Sequence, residues 1–176
     1  MRKSAAILLF CTATMPLFAQ SPAQSASGFI ADFSKHWKTA KTLTLAVASA
    51  MPEENYAFKP VSEEMSFSEQ IMHLTQANFG YCAFIADAKS PYEEPKDKRT
   101  VKKETILKDL GDSFDYCSKL FDGLTEAQLD KMHGPAERHF GTREVMLGLM
   151  LHMAHHRGQS EVYLRLKGIK PPDYKW

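Results

Sequence analysis

The sequence predicts an all-α protein whose core is a four-helix bundle. Four segments repeat apolar residues every three to four positions, which is the spacing of an amphipathic helix. No segment shows the alternation of apolar and polar residues that is typical of a strand. The chain has 176 residues, of which 44% are hydrophobic and 24% charged, so it can bury the core of a single globular domain.

The first two helices are predicted at residues 29–50 and 66–88. Pro52 follows the first segment as a stop signal. The second segment opens with Ser66 and has Glu69 three residues later, a pattern that predicts a capping box.

The last two helices are predicted at residues 101–121 and 142–167. The third segment is amphipathic, with Ile106, Leu110, Phe114, Cys117 and Phe121 on one face. For the fourth, we expect Thr142 to be the N-cap and Gly168 to end the helix, because Pro171 and Pro172 follow it. The remaining segments read as loops, of which the one before the last helix is long.

The N-terminal segment has the layout of a secretory signal peptide. Arg2 and Lys3 precede an apolar run over residues 5–19, and a polar segment follows. We therefore expect a signal peptide at 1–19, a short polar linker at 20–28 and the helical domain at 29–176, with export to the periplasm or secretion. A retained anchor and lipidation at Cys11 are the alternatives.

The charge balance indicates which classes of partner the chain can bind. The chain has 22 basic and 21 acidic residues and a formal net charge of +1, so no field of one sign attracts nucleic acid or an anionic membrane. We expect a small-molecule ligand or substrate, no nucleic acid, and no membrane partner once the signal is removed. Formation of a homodimer stays open.

Removal of the signal would leave two cysteines, Cys82 and Cys117. An oxidising compartment permits a disulfide between them. If the second and third helices are sequential and antiparallel, however, their Cα atoms lie well beyond the about 7 Å that a bridge tolerates. This reasoning predicts two buried free thiols.

Three histidines form the candidate metal site. His152 and His156 are four residues apart, so they lie one turn apart on one face of the last helix. His73 lies in an otherwise apolar helix and could supply a third ligand, which would leave a coordination position open. The alternative is that these are ordinary hydrogen-bonded histidines, because the H-x-x-x-H spacing alone is a weak signal.

Other side chains could support this site from outside the ligand set. His155 is about 100° around the helix from His156 and should face outward or act in a second layer. Gln159 could orient a metal-bound water or make a packing hydrogen bond, and Tyr163 could line the cleft or belong to the core. No catalytic residue can be named. His36, His133 and His139 have no partner at helical spacing and are interpreted as solvated or loop histidines.

The stretch from His152 to Gln159, with Val162 to Arg165 and Pro171-Pro172 after it, resembles the C-terminal signature of the DinB-like superfamily. Residues 51–60, Ser66-Phe67 and His73-Leu74 resemble the first loop and second helix of the same family. This resemblance implies an up-down-down-up bundle, with nickel or zinc held by one histidine of the second helix and two of the last. Those positions match His73, His152 and His156.

The resemblance does not transfer a reaction. The DinB-like superfamily includes thiol-dependent transferases that work in the cytoplasm. An exported protein would not meet the reduced thiol pool that these enzymes use. Two hypotheses follow: a metal-dependent hydrolase or transferase acting on a small molecule, and a non-catalytic metal-binding or stress-response protein in which the ion is structural.

Overall fold

The computed structural model describes residues 26–174, which form a helical bundle with one short hairpin. Its elements are α1 (Ala26–Ala50), α2 (Phe67–Ile85), α3 (Lys103–Asp122), α4 (Glu126–Leu129), β1 (Met132–His133), β2 (Phe140–Gly141) and α5 (Thr142–Leu166). Single 3-10 turns occur at Glu53–Asn55 and Lys98–Thr100. The four long helices confirm the predicted fold class, and α1 begins three residues before the predicted start.

The long helices run up, down, down and up. Helix α1 is antiparallel to α3, since Ser34 hydrogen-bonds Asp122 at one end and Lys103 donates to the carbonyl oxygen of Ser49 at the other. The same Lys103, at the start of α3, also reaches the carbonyl oxygen of Met51, which precedes α2. Helices α2 and α3 therefore begin at the same end of the bundle and run parallel, joined by the crossover segment of residues 86–102.

This parallel pair overturns the prediction of free thiols. Cys82 and Cys117 form a disulfide with a Cα–Cα distance of 5.6 Å. Each cysteine lies roughly four turns from the start of its own helix, so the two meet at the same height. The prediction was wrong because it assumed an antiparallel pair, in which a cysteine near the loop and one far from it cannot meet.

Local signals explain where α2 begins and ends. The Ser66 hydroxyl accepts from the Glu69 amide while the Glu69 carboxylate accepts from the Ser66 amide, which confirms the capping box. At the other end Asp87 has φ 51°, and the amide of Ala88 donates to the carbonyl oxygen of Ala83 at 2.9 Å. This is the Schellman arrangement, whose left-handed position aspartate tolerates better than most residues. The Asp87 carboxylate pairs with Lys131 and His133.

The start of α5 differs from the expectation for Thr142. Gly141 is the N-cap and makes no side-chain capping bond. Thr142 is instead the first helical residue, and its buried hydroxyl lies 2.8 Å from His133 Nε2. The helix ends as predicted at Gly168, which has φ 73° in a second Schellman arrangement.

The segment between α3 and α5 is more ordered than a loop. It contains α4 and the hairpin, in which Met132 pairs with Gly141 and His133 with Phe140. Gly134 turns the chain with φ 93°, and a Cβ there would lie 2.6 Å from the carbonyl oxygen of Arg138. His133 is consequently 3% exposed, and the prediction that it is a solvated loop histidine was wrong. His139 is exposed as predicted, whereas His36 is half-buried.

The core lies between the four long helices and is rich in aromatic rings. Trp37 of α1 is 1% exposed, and its indole nitrogen donates to the carbonyl oxygen of Phe114 at 3.2 Å. Its ring meets Phe121 edge to face with 5.4 Å between centroids, a favourable aromatic geometry. These contacts hold α1 against α3. The histidines of the candidate site lie on the other pair of helices, on the facing sides of α2 and α5. Between residues 26 and 174, no helix is both long enough and apolar enough to cross a membrane.

Candidate metal centre

The antiparallel helices α2 and α5 bring three histidines together. His73 lies in the middle of α2, and His152 and His156 lie one turn apart on the facing side of α5. The three rings are neighbours, with centroids 5.0 Å apart for His73 and His152 and 4.5 Å apart for each of the other two pairs. The pair predicted from its spacing and the histidine predicted from its apolar surroundings thus converge on one point between two helices.

The distances between their nitrogen atoms suit one metal ion. One nitrogen from each ring can be chosen so that all three lie within 4.8 Å of one another. The Nε2 atoms of His73 and His152 are 3.1 Å apart. Two imidazole nitrogens bound at about 2.0–2.1 Å lie about 2.9 to 3.4 Å apart in octahedral or tetrahedral geometry. The residues present therefore fit a divalent ion, and imidazole ligands suit both nickel and zinc.

The electrostatics of the site favour neutral imidazoles, the form that binds metal. Burial is the largest cause and lowers the pKa of His73, His152 and His156 below the usual value. For His156, burial together with the neighbouring His152 and His73 lowers the pKa to about 4. All three histidines are half-buried.

A chain of hydrogen bonds orients the His156 ring through its Nδ1 atom. Its Nδ1 lies 2.7 Å from Gln70 Oε1, which makes Nδ1 the protonated nitrogen and leaves Nε2 for a metal. Gln70 Nε2 in turn donates to the Tyr163 hydroxyl at 3.5 Å, and that hydroxyl donates to the carbonyl oxygen of Met65 at 2.8 Å. By contrast, His152 Nδ1 is buried and has no hydrogen-bond partner within residues 26–174.

Gln70 is the residue that the sequence analysis missed. It precedes His73 by three residues, so both lie on the same face of α2, and this spacing was the available signal. Its partner His156 is 86 residues away along the chain, and nothing local indicates that contact.

We expect Gln70→Leu to weaken metal binding by about 10–100-fold, the usual cost of losing the hydrogen bond behind a ligating histidine. Gln70→Glu keeps an acceptor oxygen opposite Nδ1 and should retain most of the affinity. Competition with a chromophoric chelator measures both. The control is Gln76→Leu, an exposed glutamine of the same helix, and an affinity equal to that control in the Gln70→Leu variant would contradict the assigned role.

The other predicted supporting residues take different places. His155 is exposed, and its ring lies 4.9 Å from that of His156, outside the converging group. Tyr163 is 4% exposed and supports Gln70 instead of lining a cleft. Gln159 stays beside the centre, because a hydrogen bond from its side chain acts to raise the pKa of His156 against the larger effect of burial, while its buried Oε1 has no hydrogen-bond partner in the described part of the chain.

A groove opens beside the centre between α2 and α5. The Tyr81 ring lies 5.9 Å from the His152 ring and forms one wall. Gly80 and Gly148 face this space from the two helices, and a Cβ on either would meet no atom within 4 Å. The groove has a volume of about 470 Å³ and is lined by Gly80, Tyr81, Phe84, Arg138, Phe140, Glu144, Val145 and Gly148. None of its lining residues is one of the three histidines, and Tyr81 borders both the groove and the His152 ring.

Comparison with known proteins gives one family match. The model of the DinB family matches residues 23–175. A curated relative, the uncharacterized protein YjoA of Bacillus subtilis, is 25% identical over 137 residues, which is 76% of this chain and 87% of YjoA.

Three solved structures have the same fold. The DinB-like protein YjoA of B. subtilis has a TM-score of 0.68 at 23% identity and covers 82% of this chain and 97% of its own. A DinB-like protein from Bacillus cereus has a TM-score of 0.69 at 17% identity, with 86% and 99% covered. YfiT from B. subtilis has a TM-score of 0.66 at 15% identity, with 88% and 97% covered, and is described as a probable metal-dependent hydrolase with an unusual four-helix bundle topology.

Proposed function

Because this chain belongs to the DinB family, we propose that it is an exported protein that holds one divalent metal ion, nickel or zinc, with His73, His152 and His156. We further propose that it uses the ion to act on a small molecule as a hydrolase or transferase.

One observation carries this proposal: the three imidazoles converge with one nitrogen of each within 4.8 Å of the others, and all three residues are only half-buried. Within residues 26–174, no carboxylate, cysteine or further histidine joins that group. A site with three protein ligands and an accessible side is the pattern of reactive zinc centres, whereas structural centres use four protein ligands.

The residues of the chain have distinct parts in this chemistry. Gln70 orients His156, and burial keeps the three imidazoles neutral and able to bind. The groove walls at Tyr81 and Phe84 would hold the apolar part of a ligand next to the centre. When bound, the ion would supply Lewis acidity and a nucleophile that is active near neutral pH.

Hydrolysis is favoured over thiol transfer for two reasons. YfiT, one of the proteins with the same fold, is named a probable metal-dependent hydrolase. An exported protein also meets no reduced thiol pool that could serve as co-substrate, whereas water is always present.

Cobalt substitution tests whether the centre is reactive. With three protein ligands, a cobalt ion should exchange its remaining ligand, so small anions or thiols should change the absorption spectrum in a saturable way. A screen of ester, amide and thiol-transfer substrates should then show turnover that is lost in His152→Ala. An inert spectrum would contradict the reactive site and support the alternative, a non-catalytic protein in which the metal is structural.

The proposed export rests on the N-terminal pattern, which lies outside the described residues, and on the disulfide. A bridge such as Cys82–Cys117 persists in oxidising compartments and is rare in the cytosol. We expect the precursor to yield a mature N-terminus near Gln20, in the periplasm of a double-membraned host or outside another cell type. N-terminal sequencing of the fractionated protein measures this, and recovery of uncleaved Met1 from the cytoplasm would exclude it.

A further inference from the structure

The groove beside the metal centre gathers aromatic rings that are exposed to solvent. Phe84 of α2 and Phe140 of the hairpin are each 38% exposed, and no other phenylalanine between residues 26 and 174 is exposed. Both line this groove, together with the ring of Tyr81. Single exposed apolar side chains need no explanation, whereas several that meet in one concave surface indicate a ligand site.

Two glycines keep the groove open between these rings. Gly80 of α2 and Gly148 of α5 both line it, and a Cβ on either would meet no atom within 4 Å. Glycine in the interior of a helix is destabilising relative to alanine, and here no neighbouring atom requires the smaller residue. The space above both helix backbones is therefore available to a bound molecule.

The groove also carries two opposite charges that no nearby residue neutralises. Arg138 and Glu144 both line it, but neither side chain forms an ion pair or a hydrogen bond within residues 26–174. Their neighbour Arg143, by contrast, pairs with Glu126 and Asp130. A guanidinium group binds a carboxylate and a carboxylate binds an ammonium group, so a ligand with both charges satisfies both side chains.

Ligands with one charge or none fit this groove less well. An anion that reaches Arg138 also meets the like charge of Glu144, and a cation that reaches Glu144 meets the like charge of Arg138. An uncharged apolar molecule would cover both charged groups without pairing them, which costs desolvation energy. The lining of the groove therefore favours a zwitterion.

The groove continues the seam between α2 and α5 in which the histidines lie. Gly148 is one turn before His152 on α5, and Gly80 is two turns after His73 on α2. At about 1.5 Å per residue, these steps correspond to about 6 and 10 Å along the helices. The Tyr81 ring also lies 5.9 Å from the His152 ring. A molecule bound in the groove thus lies within one or two helical turns of the metal centre.

We propose that the groove binds a zwitterionic small molecule with an apolar body, namely an apolar amino acid or a short peptide of such residues. Arg138 binds its carboxylate, Glu144 binds its ammonium group, and the rings of Phe84 and Phe140 hold the apolar part. The groove volume of about 470 Å³ lies within the range of about 300–1,000 Å³ that is typical of small-molecule sites. As the substrate class of the metal centre this inference rests on the proposed function, but binding in the groove does not require the ion.

Titration calorimetry with probes that share one aromatic body tests the charge requirement. L-Phenylalanine carries both charges, 3-phenylpropionate only the carboxylate and phenethylamine only the ammonium group. We expect L-phenylalanine to bind about 5-fold more tightly than either, because each of the others loses one charge-assisted hydrogen bond at a partly exposed site. The dipeptide phenylalanyl-leucine, compared with its N-acetyl and C-amide forms, distinguishes a peptide ligand from a free amino acid. The proposal is overturned when neither zwitterion binds more tightly than its singly charged analogues.

Variants of the two charged residues assign each contact. Arg138→Gln should weaken binding of the zwitterion about 5-fold without weakening phenethylamine, and Glu144→Gln should weaken the zwitterion without weakening 3-phenylpropionate. A general disturbance of the fold would instead weaken all probes together. The control is Glu137→Gln, because Glu137 is exposed next to Arg138 but does not line the groove. Affinities equal to this control in both groove variants would contradict the assignment.

Two further variants separate the groove from the metal centre. Gly148→Leu places a side chain in the open groove without displacing any atom, so it should abolish binding at an unchanged thermal midpoint. Amino acids can also chelate a metal ion, and a chelated probe loses its affinity in His152→Ala, whereas a groove ligand keeps it. Loss of binding both in folded His152→Ala and after removal of the metal with a chelator would overturn this inference alone. Binding of the zwitterion by an unaltered protein that carries no metal would instead overturn the proposed function and support the groove ligand.

Discussion

We expect His152→Ala and His156→Ala each to lose the metal ion that the unaltered protein carries, about one per chain. Each substitution removes one of the three converging nitrogens, and two imidazoles hold a divalent ion poorly. The loss of affinity should exceed about 100-fold, because removing a residue behind a ligand already costs about 10–100-fold. Elemental analysis of the purified variants after dialysis gives the metal content directly.

The matched control is His155→Ala, which removes an imidazole from the same helix turn. Its side chain is exposed and lies outside the converging group, so this variant should keep most of its metal. Thermal midpoints of all variants without metal separate loss of ligation from loss of folding. Full occupancy in His156→Ala would remove His156 from the ligand set, and an empty site in His155→Ala would add His155 to it.

The helices were predictable because their signals are local. Ser66 and Glu69 cap each other within three residues, and Gly168 closes α5 within one turn. The pair His152 and His156 was predictable for the same reason, since one helix fixes their spacing. Each of these predictions depends on residues that are neighbours along the chain.

Most contacts between distant residues were not predictable in this way. His73 was an exception, because an imidazole in an otherwise apolar helix needs a partner, and it meets His152 across the bundle. His133 looked like a loop residue, yet it is buried against Asp87, 46 residues before it. The parallel arrangement of α2 and α3 depends on the crossover segment. The sequence of that segment does not indicate whether the two helices run parallel or antiparallel. Only the family resemblance implied that arrangement, and the inference of free thiols did not use it. Long-range partners are decided by packing, which composition and spacing do not encode.

Removal of the disulfide should produce a large loss of stability. The bridge joins Cys82 and Cys117, which are 35 residues apart, and so closes a loop that contains the whole crossover segment. The loss of loop entropy in the unfolded chain corresponds to about 4 kcal/mol for a loop of this length, and measured values are typically about 2–4 kcal/mol. For a domain of this size, we expect the thermal midpoint to fall by roughly 10 °C.

The comparison uses Cys82→Ala/Cys117→Ala and the unaltered protein, each melted with and without a reductant. The reductant should destabilise the unaltered protein once the bridge is broken and leave the double variant unchanged, because the variant has no bridge to lose. Thiol titration of the exported protein under denaturing conditions should find no free thiol before reduction and two after it. Two thiols without reduction would show that the bridge does not form. The disulfide would then no longer support export, because an oxidising compartment would have closed a pair with Cα atoms 5.6 Å apart.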